Sequence, residues 1–151
     1  MKKVLIAEDE SVLLGVLKDR FSDAGWSVTT ANDGEEANNK LNKAGRDGFD
    51  LLILDLLMPK KNGFEVLEEI KQNAELIDLP IVVLSNLGGD EDIKKAMKLG
   101  ADDYYVKTQH PISEVIEKAE KFAAGGHTLN KKKVKEEDRS KKEKTVAKEA
   151  K

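Results

Sequence analysis

The sequence contains no cysteine. Disulfides and thiolate chemistry are therefore excluded, and cysteine usage says nothing about redox compartment. The two histidines, His110 and His127, have no partners at metal-ligand spacing. Aromatic residues make up only 5% of the chain, and Trp26 and Phe21 read as packing rather than as a binding surface. No long apolar run exists at the start: Met1-Lys-Lys-Val-Leu-Ile-Ala-Glu reaches charge after four apolar residues. That is too short for a signal peptide or a membrane helix, so no membrane span is expected and the default location is cytoplasmic. No helix-turn-helix is expected to fit in the segment from Lys131 on.

What is present is charge, at 36% of residues, beside a hydrophobic content of 39% that supports a core. The length of 151 residues suits one domain with some excess. The charge is unevenly placed. The whole chain carries −3; residues 127–151, with nine Lys, one Arg and five acids, carry +5, which leaves −8 on residues 1–126. An acidic body argues against nucleic acid as its main ligand, and no direct DNA binding is expected. It suits a divalent cation or a basic partner surface. The expected division is a domain over 1–126 and a Lys/Glu-rich tail over 127–151. The tail has no apolar stripe, so it should be mobile or only partly helical.

The body is organised around Phe49-Asp-Leu-Leu-Ile-Leu-Asp-Leu-Leu-Met-Pro59. Leu51 to Leu54 are uninterrupted apolar residues, as in a strand buried on both faces of a parallel sheet. Asp55 stands at the carboxyl end of that run, where open α/β sheets bind ligands. A carboxylate there needs a cation, a metal or a mouth open to water. In chain order, Val4–Ala7 reads as a first strand followed by Glu8-Asp9-Glu10, and Ser11 as the cap of a helix that Gly25 ends. Trp26–Ala31 reads as a second strand. Asp33 and Glu36 have capping-box spacing before a polar helix to about Ala44. After the central strand, Asn62-Gly63 turns into a helix carrying Phe64, Val66, Leu67 and Ile70. Pro80 precedes a strand Ile81–Leu84 that ends at Ser85. Asp90 is a candidate cap for the helix through Leu99. Tyr104–Val106 reads as the fifth strand, ending at Lys107, and Pro111 opens a last helix that Gly125-Gly126 stops.

Five strands alternating with five helices predict an α/β fold: a doubly wound parallel sheet with helices on both faces. All strand ends of a parallel sheet emerge on one edge, so Glu8-Asp9, Asp55, Ser85 and Lys107 can converge. Singly, each has a plainer reading: charge at a helix start, a satisfied strand end, an exposed lysine. Together they suit one chemistry. Asp9 and Asp55 are the best direct ligands for Mg²⁺, with Glu8 beside them or one water away; the Leu57 backbone carbonyl completes the protein's share, and Mn²⁺ is an alternative. A cation there lets a phosphoryl group approach a carboxylate, Lys107 adds a point charge and the Ser85 hydroxyl a hydrogen bond. Asp55 is then the nucleophile that becomes an acyl phosphate.

These residues, with Asp-Leu-Leu-Met-Pro at 55–59, Asn62-Gly63 and Gly100-Ala-Asp-Asp-Tyr-Tyr-Val-Lys107, resemble the receiver domain of two-component response regulators over about residues 2–124, in the stand-alone, chemotaxis-type form. The resemblance implies a flavodoxin-like sheet in the order 2-1-3-4-5. It implies a sensor histidine kinase or phosphotransfer protein as donor, and signalling to a downstream protein by protein–protein contact. It also implies a switch pair, Ser85 and Tyr104, and pairing of two copies through the face of the fourth helix, fifth strand and fifth helix.

The chain departs from the family pattern at three places. Thr108, not proline, follows Lys107; Asn86 follows Ser85 where a small residue is usual; and Leu57 and Leu87, flanking the pocket, are apolar. Neither leucine can orient an attacking water, so the acyl phosphate is expected to be long-lived. The alternative function is a pseudo-receiver, a binding or dimerisation module that needs no phosphorylation. An aspartate-dependent phosphatase would want a second acid two residues after Asp55, and Leu57 stands there, so the domain is not expected to be an enzyme beyond its own phosphorylation. A flavin or nucleotide site would want glycines or hydroxyls in the first loop, where Glu8-Asp9-Glu10 repels phosphate.

Overall fold

A computed structural model describes residues 1–124. The elements are β1 (Lys3–Ala7), α1 (Ser11–Asp23), β2 (Ser27–Ala31), α2 (Gly34–Ala44), β3 (Leu51–Leu54), α3 (Gly63–Lys71), β4 (Ile81–Ser85), α4 (Asp90–Lys98), β5 (Asp103–Val106) and α5 (Ile112–Ala124). All strand pairs are parallel and the sheet order is β2-β1-β3-β4-β5. The fold expected from the alternation and from the family resemblance is therefore the one observed. The tail over 127–151 and the glycine stop at 125–126 lie outside the described residues.

The strand period of two explains the unbroken apolar runs. Leu5, Ala7, Leu52, Leu54, Ile81 and Val83 pack to one side of the sheet against Ala37 and Leu41 of α2 and Val66, Leu67 and Ile70 of α3. Val4, Ile6, Leu51, Ile53, Val82 and Leu84 pack to the other against Leu17 and Phe21 of α1 and Val115, Ile116 and Ala119 of α5. Each fully buried aliphatic side chain contributes about 1.5–3 kcal/mol. Phe21 and Trp26 meet edge to face at 5.5 Å within the second cluster, so both are packing residues as expected.

Two helix starts differ from the sequence reading. Ser11 is the first residue of α1, with Glu10 as the cap and no capping side chain. Asp90 likewise lies inside α4, after Gly89. There it joins Glu91 and Asp92 as first-turn charge favoured by the helix dipole rather than as a cap. At α2 the Asp33 carboxylate accepts from the Glu36 N–H at 2.8 Å, but the Glu36 side chain accepts from Asn32 rather than from Asp33. The complete capping box is at α3, between Asn62 and Glu65. That start is held against the sheet edge: a Cβ on Gly63 would lie 2.5 Å from the Asp55 carbonyl oxygen. Lys60, in the turn before it, takes φ 66°, a left-handed conformation that costs a side-chain-bearing residue about 1–2 kcal/mol.

One core position runs against the pattern. Asn38 of α2 is 2% exposed, and both its amide atoms are without a partner among the described residues. An unpaired buried amide costs about 1–3 kcal/mol. Asn38→Leu should therefore raise the stability by about 1 kcal/mol in urea unfolding; a loss of stability would mean that the amide is hydrogen-bonded.

Candidate functional site

Parallel register brings the strand ends level: Ala7 pairs Leu54, and Ser85 pairs Val106. Backbone bonds carry the ladders one residue further, from Asp55 N–H to the Ala7 carbonyl at 3.0 Å and from Lys107 N–H to the Ser85 carbonyl at 2.9 Å. Glu8 N–H is held by Ala31 at 3.0 Å. The side chains that follow the apolar runs are thus aimed from fixed backbone.

Glu8, Asp9, Asp55 and Lys107 meet as the sequence predicted. Asp55, Glu8 and Ser85 are 4%, 2% and 0% exposed. The Lys107 ammonium lies 2.9 Å from Asp55 Oδ2 and 2.5 Å from Glu8 Oε1. Leu57 N–H donates to Asp55 Oδ1 at 3.1 Å, so both carboxylate oxygens of Asp55 have partners. Asp9, exposed, closes the group: Glu8, Asp9 and Asp55 each offer a carboxylate oxygen within 4.8 Å of the others. Three convergent carboxylates are a hard-oxygen donor set of the kind Mg²⁺ and Mn²⁺ take. Thr108 does not stop Lys107 from reaching Asp55; among the described residues every peptide bond is trans.

The chain continues this arrangement through the β4–α4 loop. Ser85 Oγ accepts from Leu87 N–H at 3.4 Å, and Tyr104 Oη donates to the Leu87 carbonyl at 2.5 Å. Tyr104 is thus the tyrosine tied to this loop, with its ring against the core. Tyr105 is buried on the other side and donates to Asp103 at 2.6 Å. His110 stacks edge to face on Tyr105, and its Nδ1 lies 3.5 Å from a Glu114 carboxylate oxygen. Sequence reasoning missed Glu10. Its carboxylate lies 3.6 Å from the Lys107 ammonium. Only the fold of Lys107 back over the first loop brings the two together, and no spacing signal in the chain foretells it.

The family model of the response regulator receiver domain matches residues 4–120. The chain belongs to the response regulator receiver family. A probable transcriptional regulator ycf27 of Guillardia theta is 39% identical over 132 residues, 83% of this chain and 50% of that protein. The chain spans about half the length of the curated relatives it matches. The Francisella response regulator 1452 receiver domain has TM-score 0.73 at 29% identity, covering 82% of this chain and 97% of that one. The Mn²⁺-bound form of response regulator Rcp1 has TM-score 0.71 at 28% identity, covering 81% and 94%. No helix among the described residues of this receiver is long and apolar enough to cross a membrane.

The receiver's charge balance is set by burial. It pushes the Glu8 carboxyl up to about 7, aided by its hydrogen bond to Asp55 and opposed by Lys107. For Lys107, burial alone would lower the pKa, but hydrogen bonds to Glu8 and Asp55 outweigh it and the ammonium is held above its usual range. Burial, then the charge of Asp92, raises the Tyr104 hydroxyl.

Since Glu8 holds its proton more tightly folded than unfolded, its contribution to stability is full below pH 4.5 and is lost as pH rises through about 7. With chelator present, Glu8→Gln should gain on the wild type in melting temperature as pH rises across that window. A pH-independent difference between the two would contradict the burial argument.

Proposed function

We propose that this receiver domain is a Mg²⁺-dependent phosphoacceptor, phosphorylated on Asp55 by a sensor histidine kinase or phosphotransfer protein, and that it signals by protein–protein contact. The observation that carries the reading is a buried Asp55 carboxylate bridged by Lys107 and adjoining two further carboxylates. Glu8, Asp9, Asp55 and the Leu57 carbonyl would hold the metal, Mg²⁺ or Mn²⁺. When bound, the metal neutralises charge on the phosphoryl oxygens. An Asp55 oxygen attacks phosphorus, the donor's bond to phosphorus breaks, and the leaving atom keeps the electron pair. Lys107 follows the negative charge onto the phosphoryl group, and Ser85 donates a hydrogen bond to it.

The loop ties suggest the readout. Leu87 is held through its N–H by Ser85 and through its carbonyl by Tyr104. A phosphoryl group that draws on the Ser85 hydroxyl alters one of these ties, and Tyr104 carries the change to the face of α4, β5 and α5, where a second copy or a downstream protein binds. Exposed Val12 and Val16 of α1, with exposed Leu57 beside Asp55, offer apolar contact to a protein donor. The net −8 of residues 1–126 argues against DNA contact by the domain itself. The domain acts on no second substrate. The complete set around Asp55 supports phosphorylation over a pseudo-receiver role.

The test is intact mass after exposure to acetyl phosphate. Gain of one phosphoryl group should need both Mg²⁺ and Asp55, failing with chelator and in Asp55→Ala. Ser85→Ala should slow the gain about tenfold, the worth of one hydrogen bond to a charged group. The acyl phosphate should persist, because apolar Leu57 and Leu87 hold no attacking water. No gain under any condition favours the pseudo-receiver, and rapid loss overturns the persistence.

A further inference from the structure

The Lys107 ammonium has three carboxylate partners, not two. Asp55 Oδ2 and Glu8 Oε1 hold it from inside the site at 2.9 and 2.5 Å, and Glu10 Oε2 approaches it at 3.6 Å. Glu8 is buried, whereas the Glu10 side chain is 58% exposed. Its backbone is fixed, since Glu10 caps α1 and its N–H donates to Glu8 Oε2 at 3.3 Å. Glu10 is no part of the Glu8–Asp9–Asp55 donor set. A phosphoryl group on Asp55 must therefore share Lys107 with Glu10, and a donor at Asp55 lies close to a negative charge that the transfer chemistry does not require.

We propose that Glu10 is a positioning and specificity-determining residue: it holds Lys107 from the solvent side and selects against phosphodonors of high negative charge, favouring those that carry phosphorus on a protonated nitrogen. The inference rests on the phosphoacceptor reading of Asp55. With acetyl phosphate, the Asp55 oxygen bonds to phosphorus and acetate leaves with the electron pair of the broken P–O bond. With phosphoramidate, the P–N bond breaks and ammonia leaves with the pair. The first donor is doubly negative near neutrality and the second singly, so repulsion from Glu10 weighs more on the first.

The test measures phosphorylation rates of the full chain with both donors at saturating Mg²⁺, for wild type, Glu10→Gln, Glu10→Asp and Glu10→Lys. Glu10→Gln should speed acetyl phosphate about threefold to tenfold at low salt and phosphoramidate distinctly less. Glu10→Lys should go further, Glu10→Asp should keep the wild-type preference, and high salt should shrink the differences. A merely structural role would change both donors alike and ignore salt; that result overturns the inference while leaving Asp55 phosphorylation intact, as does a wild-type rate in Glu10→Gln. Failure of every protein with both donors overturns the phosphoacceptor reading itself, and the inference with it.

Discussion

The interaction on which the site depends is the Lys107 ammonium among carboxylates. Asp55 and Glu8 are 4% and 2% exposed, and two such charges side by side away from water repel strongly without a cation. Lys107 supplies that cation from the end of β5, two strands from β3. The parallel sheet makes the meeting obligatory: β1, β3 and β5 all end on one edge, and backbone bonds just past them fix where each side chain starts. The apolar core serves this geometry by locking the register, since a slip of one residue would send each side chain of Leu51–Leu54 to the opposite face of the sheet, against the wrong pair of helices.

The same cluster sets the proton balance of the site. Burial makes Glu8 resist ionising, while hydrogen bonds to Glu8 and Asp55 outweigh burial and make Lys107 resist losing its proton. A divalent cation would share with Lys107 the negative charge of the carboxylates. The β3–α3 turn at the same edge is tightly constrained, with Lys60 left-handed and Gly63 packed where a side chain would meet the Asp55 backbone.

Much of this was legible in the sequence. The unbroken Leu51–Leu54 run meant burial on both faces, and polar groups at strand ends could only converge once the sheet was parallel. What was not legible depended on contacts distant in sequence. Ser11 and Asp90 have the chemistry of caps, but local propensity does not decide which residue opens a helix when the preceding loop is held by the sheet. Tyr104 and Tyr105 are adjacent, and only the packing sends one to Leu87 and the other to Asp103. Glu10 gained its place from a lysine 97 positions away (Lys107 against Glu10). Asn38 broke the helix pattern with no sign in its neighbours.

The measurement that tests the central claim most directly is a calorimetric Mg²⁺ titration of the wild type against Lys107→Met. If the ammonium is the cluster's own counter-cation, its removal should leave Glu8, Asp9 and Asp55 short of positive charge, and Mg²⁺ should bind about tenfold more tightly. Equal or weaker binding would show that Lys107 does not compete for the carboxylates, and the account of the site built on it would fail.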